Sequence, residues 1–421
     1  MLDVFPVSTR VEAGELQLGG VGASTLAERF GTPLVVYCEE TIRARAREIR
    51  EAVPEALVLY GSKAFPNVAI LRALAEEGVG ADVSTLGELA FARAAGLSGA
   101  QLVLHGNAKS DEELRAAAEA HATVVLDAED EVERAVAAGV ERVLLRVTLG
   151  VEADTHEAIQ TGHHGSKFGL PPDAAGQTIA AARGLGLDVY GLHVHVGSQL
   201  FALAEVVETV DLLAAFAGRC RDELGWTPEL VNTGGGFAVR HLPSDPEAPL
   251  GGLAREVAGA VERAWGANGL PPVRLALEPG RALVGRAGVT LYRVRSVKRL
   301  DGVTWAAVDG GMSDNPRPQL YGARYTALSA VRADEPPTEN VSVAGLHCES
   351  GDVLIDDVLL PPPRRGDLLA VPATGGYSLA LASNYNATPR PAVVLVRDGD
   401  AQVIRRRETV DDLLAFETDS T

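Results

Sequence analysis

The feature that most restricts the fold is a rhythm. Between about residue 57 and about residue 280, short β-branched runs alternate with helical stretches rich in Ala, Leu, Glu and Arg. The runs cover 57–60, 79–83, 101–105, 123–126, 142–147, 187–196, 229–232 and 273–277. Between them, segments such as 67–77, 85–95, 111–120, 129–138 and 205–223 place apolar residues at helical spacing. Eight strands, most followed by a helix, predict an α/β fold built on a (β/α)8 TIM-type barrel. An open doubly wound sheet is the rival arrangement, but eight repeats close naturally. From about residue 285 the rhythm changes: runs at 288–300, 303–308, 339–344, 366–372 and 392–397 follow one another mostly without full helices. Turn-rich segments at 332–337 and 360–365 punctuate this half. It predicts a separate, mostly antiparallel β-domain. The expected division is a barrel over 35–282 and a β-domain made of 1–34 with 283–421, the N-terminal segment packing there up to the short strand 34–37. Two domains also suit 421 residues, more than one core usually covers.

Composition matters mainly for what it excludes. A 46% hydrophobic and 23% charged chain is globular rather than disordered. No apolar run approaches the roughly 20 residues of a membrane span, and a formal charge of −19 disfavours a nucleic-acid partner. The opening MLDVFPVSTRVEAGEL has neither a basic nor an apolar leader region, so no signal peptide is expected. Three scattered cysteines, Cys38, Cys220 and Cys348, argue against a disulfide framework and for a reducing, cytoplasmic setting.

Barrel strands are packed inside, so polar side chains collect where the strands run out into loops, and active sites sit there. The strand ends read Lys63, Asp82, His105 with Asn107, Asp127, Arg146, His195 with Ser198, Gly234–Gly236, and Glu278 with Arg281. Singly, each has a dull explanation: a lysine after a strand is usually solvated, and a glycine triplet is usually a turn. Together they supply what pyridoxal phosphate needs. That cofactor wants a lysine for its aldehyde and a carboxylate at its pyridine nitrogen. It also wants backbone N–H groups for its phosphate and a flat partner for its ring.

The motifs that carry these residues resemble the fold-type III pyridoxal-phosphate decarboxylases. That family includes ornithine and arginine decarboxylases and, more distantly, alanine racemase. The resemblance runs from about residue 30 to about residue 415. It implies that YGSKAFPN (60–67) carries the Schiff-base lysine, Lys63, and that Asp82 lies in the second-strand motif GADVSTLGEL (80–89). GLHVHVGSQ (191–199) then sets His195 against the ring and Ser198 near the phosphate. NTGGGF (232–237), with Gly234, Gly235 and Gly236, cradles that phosphate. EPGR (278–281) sets Glu278 on the pyridine nitrogen, with Gly280 and Arg281 beside the cofactor. CESGD (348–352) carries the family's proton donor, Cys348, and GGYS (375–378) carries a tyrosine, Tyr377, that reaches the cofactor. A homodimer is implied, with Cys348 and Glu349 serving the opposite subunit's site.

The substrate is read from its far end. Diaminopimelate presents both an ammonium and a carboxylate there, so its site needs an arginine fork and an acid. Arg281, Arg317 with Tyr321 in RPQLYGARY (317–325), Glu349 and Tyr377 supply that set. THEAIQTGHHGSKFGL (155–170) and DGGMSDNPRPQLY (309–321) also resemble the diaminopimelate branch. The activity implied is decarboxylation of meso-2,6-diaminopimelate to L-lysine and CO2, the last step of lysine biosynthesis. Ornithine, arginine or a carboxylated polyamine as substrate, a silent regulatory homologue and a racemase are the alternatives. GHHGSK (162–167) fails as a phosphate loop on its glycine spacing, and His156, His163 and His164 lack companions at ligand spacing, so no metal site is expected. His347 stands where a small apolar residue is expected before Cys348, and Phe65 is a variation in the lysine segment.

Overall fold

Eight short parallel strands pair in chain order: Leu57–Gly61, Gly80–Val83, Leu102–Leu104, Thr123–Leu126, Arg142–Arg146, Asp188–His193, Leu230–Asn232 and Arg274–Leu277. The last returns to the first through Ala276↔Leu57 and Leu277↔Val58, which closes the barrel. The computed structural model describes residues 1–151 and 166–418. The segment 155–165, with His156, His163 and His164, lies outside the described residues.

The barrel forms because its strands are apolar on both faces, one packed by helices and one by the side chains inside. Leu59, Val103, Val125, Leu144, Leu230 and Ala276 make an inner cluster. The helices Val68–Glu76, Leu86–Ala94 and Asp111–Glu119 begin at Asn67, Thr85 and Ser110, whose side chains accept backbone N–H bonds from the first turn. Each such cap is worth about 1 kcal/mol. Coming soon after a strand's carboxyl end, the caps keep the mouth loops short and their side chains fixed.

The chain divides into two compact units. The barrel unit comprises Arg43–Ala238 and Glu247–Leu283; the other comprises Met1–Ile42, the excursion Val239–Pro246 and Val284–Thr421. In the second unit, Gly288–Leu300 is the organising strand. Its first half pairs with Leu34–Cys38 on one edge and Leu368–Pro372 on the other; its second half pairs with Val303–Val308. Glu339–Ala344, Val353–Leu360, Ala392–Arg397, Asp400–Arg405 and the short Leu328–Ser329 complete a nine-stranded, mostly antiparallel sheet. One core gathers Phe5, Leu16, Leu34, Val36, Leu291 and Val394, and another gathers Tyr292, Val308, Tyr325, Val343 and Ile355. The strand Val353–Leu360 escapes the pattern of alternating residues because Asp356 and Asp357 sit side by side on its exposed stretch, next to an irregular pairing with 341–344. No described helix is long and apolar enough to cross a membrane.

Candidate active site

In the barrel unit, the polar strand ends converge on one carboxylate. Glu278, 8% exposed, follows the last barrel strand. Its Oε1 lies 2.7 Å from His105 Nε2 and accepts from Asn232 Nδ2 at 2.6 Å, while its Oε2 lies 3.4 Å from His193 Nε2. Asp82 Oδ1 approaches the same His105 nitrogen at 3.6 Å. The two imidazoles pack edge to face at 4.8 Å. All five side chains come from different strands or their ends, a placement that the barrel's register dictates.

The electrostatics separate these groups. Burial would raise the Glu278 carboxyl, but His105 and His193 beside it hold it well below the ordinary carboxylate range. Burial lowers His105, yet Asp82 and Glu278 together outweigh that and raise it, which favours the protonated ring. Burial pushes His193 down to about 4 and leaves it neutral. Asp82 is pushed up to about 6, again by burial. The result is an ionised carboxylate in a dry place, clasped by two imidazoles and an amide.

His195 is also kept neutral: burial lowers it well below the ordinary imidazole value, helped by the charges of Lys63 and Arg146. Its Nδ1 accepts from the Gly235 amide at 3.2 Å, which assigns the proton to Nε2. The Gly234 amide donates to Asn232 Oδ1 at 2.9 Å. Only glycine fits this triplet. A Cβ would come 2.4 Å from His195 Nδ1 at Gly234, 2.1 Å from Glu278 O at Gly235 and 2.5 Å from Gly197 O at Gly236. Ser198 is half-buried in the bend after His195, and Gly280 and the buried Arg281 follow Glu278 at the last mouth loop. Lys63 is exposed on the turn Ser62–Ala64 directly after the first barrel strand, and its charge is felt at Asp82, Glu88 and His195.

These residues fit pyridoxal phosphate: an accessible amine, an ionised buried carboxylate, a neutral flat ring and a backbone stripped of side chains. The ligand atoms of His105, His193 and Glu278 also lie within 4.8 Å of one another, close enough for a metal ion. The direct 2.7 Å approach of His105 Nε2 to Glu278 Oε1 is instead that of an ion pair. Two ligands about 2.0–2.1 Å from one tetrahedral zinc would stand more than about 3 Å apart.

The other predicted site residues lie in the second unit. Arg317 opens the short helix Arg317–Tyr321 and is 5% exposed, with Tyr321 half-buried at its end. Cys348 and Glu349 are exposed, and Cys348 is a free thiol. Tyr385 donates its phenol proton to Glu349, a bond that raises the tyrosine. His347 is buried; its Nδ1 lies 3.0 Å from Asn386 Oδ1, and its backbone N–H donates to Asp352. The unexpected imidazole is thus packed away beneath the Cys348 loop. Tyr377 is half-buried on a left-handed backbone with φ 62°.

Sequence reasoning missed His193 and Asn232 and left His105 without a role. The signal for His193 is its spacing of two from His195, which puts both on one side of an extended segment. Asn232 stands at the carboxyl end of its strand, the position already used to pick out the others.

Comparison with known proteins places this geometry. Residues 39–285 match the family model described as pyridoxal-dependent decarboxylase, pyridoxal binding domain. A diaminopimelate decarboxylase of Actinosynnema pretiosum subsp. auranticum is 48% identical, with 98% of this chain and 95% of the relative covered. That of Bacillus subtilis is 41% identical, with 97% of each covered. Among solved structures, diaminopimelate decarboxylase of M. jannaschii in co-complex with L-lysine superposes with a TM-score of 0.89 at 32% identity, covering 98% of both chains. With its family model spanning more than half its length and relatives this similar end to end, the chain belongs to the pyridoxal-dependent decarboxylase family, in the diaminopimelate decarboxylase branch.

Proposed function

We propose that this protein is a carboxy-lyase that converts meso-2,6-diaminopimelate to L-lysine and CO2. The observation that carries the reading is the ionised Glu278 clasped by His105, His193 and Asn232. Pyridoxal phosphate, when bound, supplies an electron sink for the pair left behind when the carbon–carboxylate bond breaks. Glu278 holds a proton at the pyridine nitrogen and so maintains that sink. Lys63 would anchor the group through Nζ. His195 offers its neutral ring face, Ser198 and the glycine triplet hold the phosphate end, and Asp82, Gly280, Arg281 and Tyr377 line the remainder. Cys348 delivers a proton from Sγ to the α-carbon that CO2 has left. Arg281, Arg317, Tyr321, Glu349 and Tyr377 grip the far ammonium and carboxylate.

The same reading makes the protein a homodimer in which Cys348 and Glu349 serve the partner's site, an arrangement supported by their exposure within one chain. The proposed barrel over 35–282 differs from the compact barrel unit chiefly by the residues up to Ile42 and the excursion Val239–Pro246, which belong to the second unit. The same reading puts the enzyme in the cytoplasm, supported by three free thiols. CO2 release from a panel of meso-diaminopimelate, ornithine, arginine and lysine tests the substrate; activity on ornithine alone would remove that part and leave the cofactor reading standing. Mixing inactive Lys63→Ala and Cys348→Ala proteins tests the shared site. Random exchange of subunits should restore roughly a quarter of the activity, and none returns if each chain uses its own cysteine.

A further inference from the structure

Within the second unit, Arg317 is held in an unusual way. Both of its side-chain hydrogen bonds among the described residues leave one nitrogen: Nη1 lies 2.9 Å from His241 Nε2 and 2.5 Å from Tyr325 Oη. A guanidinium only donates, so His241 must accept at Nε2, with the phenol oxygen accepting beside it. The two hydrogens of Nη1 are thereby spent. The other edge of the fork, Nε with Nη2, is the edge that matches a carboxylate with two parallel bonds. Arg317 Nε is buried and makes no hydrogen bond among the described residues.

The acceptors are themselves fixed. The His241 and Tyr325 rings meet edge to face at 5.4 Å and 84°, and both side chains are buried. The His241 and Leu242 amides donate to Asp245 Oδ2 at 2.8 and 2.9 Å, which locks the turn that presents the imidazole. Arg317 Cζ stands 5.7 Å from the Tyr325 ring centroid. The guanidinium is therefore pinned from one side only.

We propose that His241, with Tyr325, is a positioning residue for substrate specificity: it occupies Nη1 of Arg317 and turns the Nε–Nη2 edge toward the substrate carboxylate that is not lost. This rests on the reading above that Arg317 takes the far end of the substrate. The chemistry distinguishes that carboxylate cleanly. Removal of one CO2 from meso-diaminopimelate leaves L-lysine, which keeps the far carboxylate; cadaverine is the same chain without it.

Equilibrium binding of L-lysine and of cadaverine to the holoenzyme, measured by calorimetry, tests the proposal. His241→Phe keeps a flat ring against Tyr325 and removes the acceptor. Its affinity for lysine should fall about tenfold or more, as for the loss of one charge-assisted bond, while cadaverine binding stays within about twofold. The KM for meso-diaminopimelate should rise more than kcat falls. His241→Gln, which returns an acceptor oxygen, should recover the preference for lysine. Tyr325→Phe removes the second acceptor without touching His241 and should show the same selective loss, so the test survives a variant that fails to fold. Equal weakening of lysine and cadaverine, or no weakening of either, overturns the proposal. Arg317→Met separates the two readings. If it keeps the preference for lysine, Arg317 is not the carboxylate site; if it abolishes the preference while His241→Phe and Tyr325→Phe do not, only the role of His241 falls.

Discussion

The barrel mouth and the loops of the second unit use different means to hold functional groups. At the mouth, every side chain stands at the end of a strand, and the decisive ones are buried and bonded to each other. Glu278, His105, His193 and Asn232 form one lattice in which burial and the neighbouring charges together set each group's ionisation. In the second unit the corresponding groups lie on loops and a single helical turn. Some of them, such as Cys348 and Glu349, are exposed, and Glu349 accepts a hydrogen bond from Tyr385. The difference teaches a division of labour. Groups that must keep a fixed protonation state sit in the rigid, dry frame, where low dielectric magnifies each interaction. Groups proposed to meet the far end of the substrate, or a partner subunit, sit on loops, where the backbone is easier to vary.

That contrast can be broken most severely at Lys63. Lys63→Ala should abolish the visible absorbance of the bound cofactor and lower turnover by about a thousandfold or more. An unchanged spectrum would move the anchor elsewhere. Next comes Glu278→Gln, which keeps the shape of the lattice and removes its charge; kcat should fall about 10²–10³-fold with the cofactor still bound. Retained kcat would show that the clasp is architectural. Cys348→Ala probes the loop side. Steady-state turnover should drop about 10²-fold, with cofactor absorbance and melting temperature unchanged, because an exposed thiol supports no core. A large loss of stability would contradict the division of labour.

The smallest expected effect is a pH dependence. His193 titrates near 4 in the folded protein and near 6.5 in its ordinary state. As pH falls through that window the unfolded chain takes up the proton first, so the folded state loses stability between about 6.5 and 4. The contribution is fully present above that range. His193→Gln should flatten the corresponding slope in urea midpoints of the apoprotein; an unaltered slope would mean that other groups govern it.

Much of this was legible before any coordinates. Closely spaced β-branched runs predict the barrel because a strand buried on both faces leaves little choice of residue. The glycine triplet reads in the sequence as bare backbone for a phosphate, and in the structure no side chain fits at Gly234, Gly235 or Gly236. What stayed hidden was pairing across the fold. That His193 rather than His195 reaches Glu278 depends on position along the strand, since the two rings share a side, and only a two-residue change of register would exchange them. Arg317 was visible as a candidate, but His241 and Tyr325 were not, since their common target is a single nitrogen. The strand Val353–Leu360 was lost to adjacent aspartates whose exposure only the sheet reveals.

The strand Leu34–Cys38 has a consequence for how the chain is made. Leu34 pairs with Leu291 on one side and Ala392 on the other. As the polypeptide leaves the ribosome, this early strand must wait for one neighbour until residue 291 has emerged and for the other until residue 392. The barrel needs no such delay, because each of its strands finds a mate in the next one to emerge. Translation therefore delivers a finished barrel beside an unfinished sheet, and during that interval the row of unpaired amides on 34–38 is where a chaperone would be most useful.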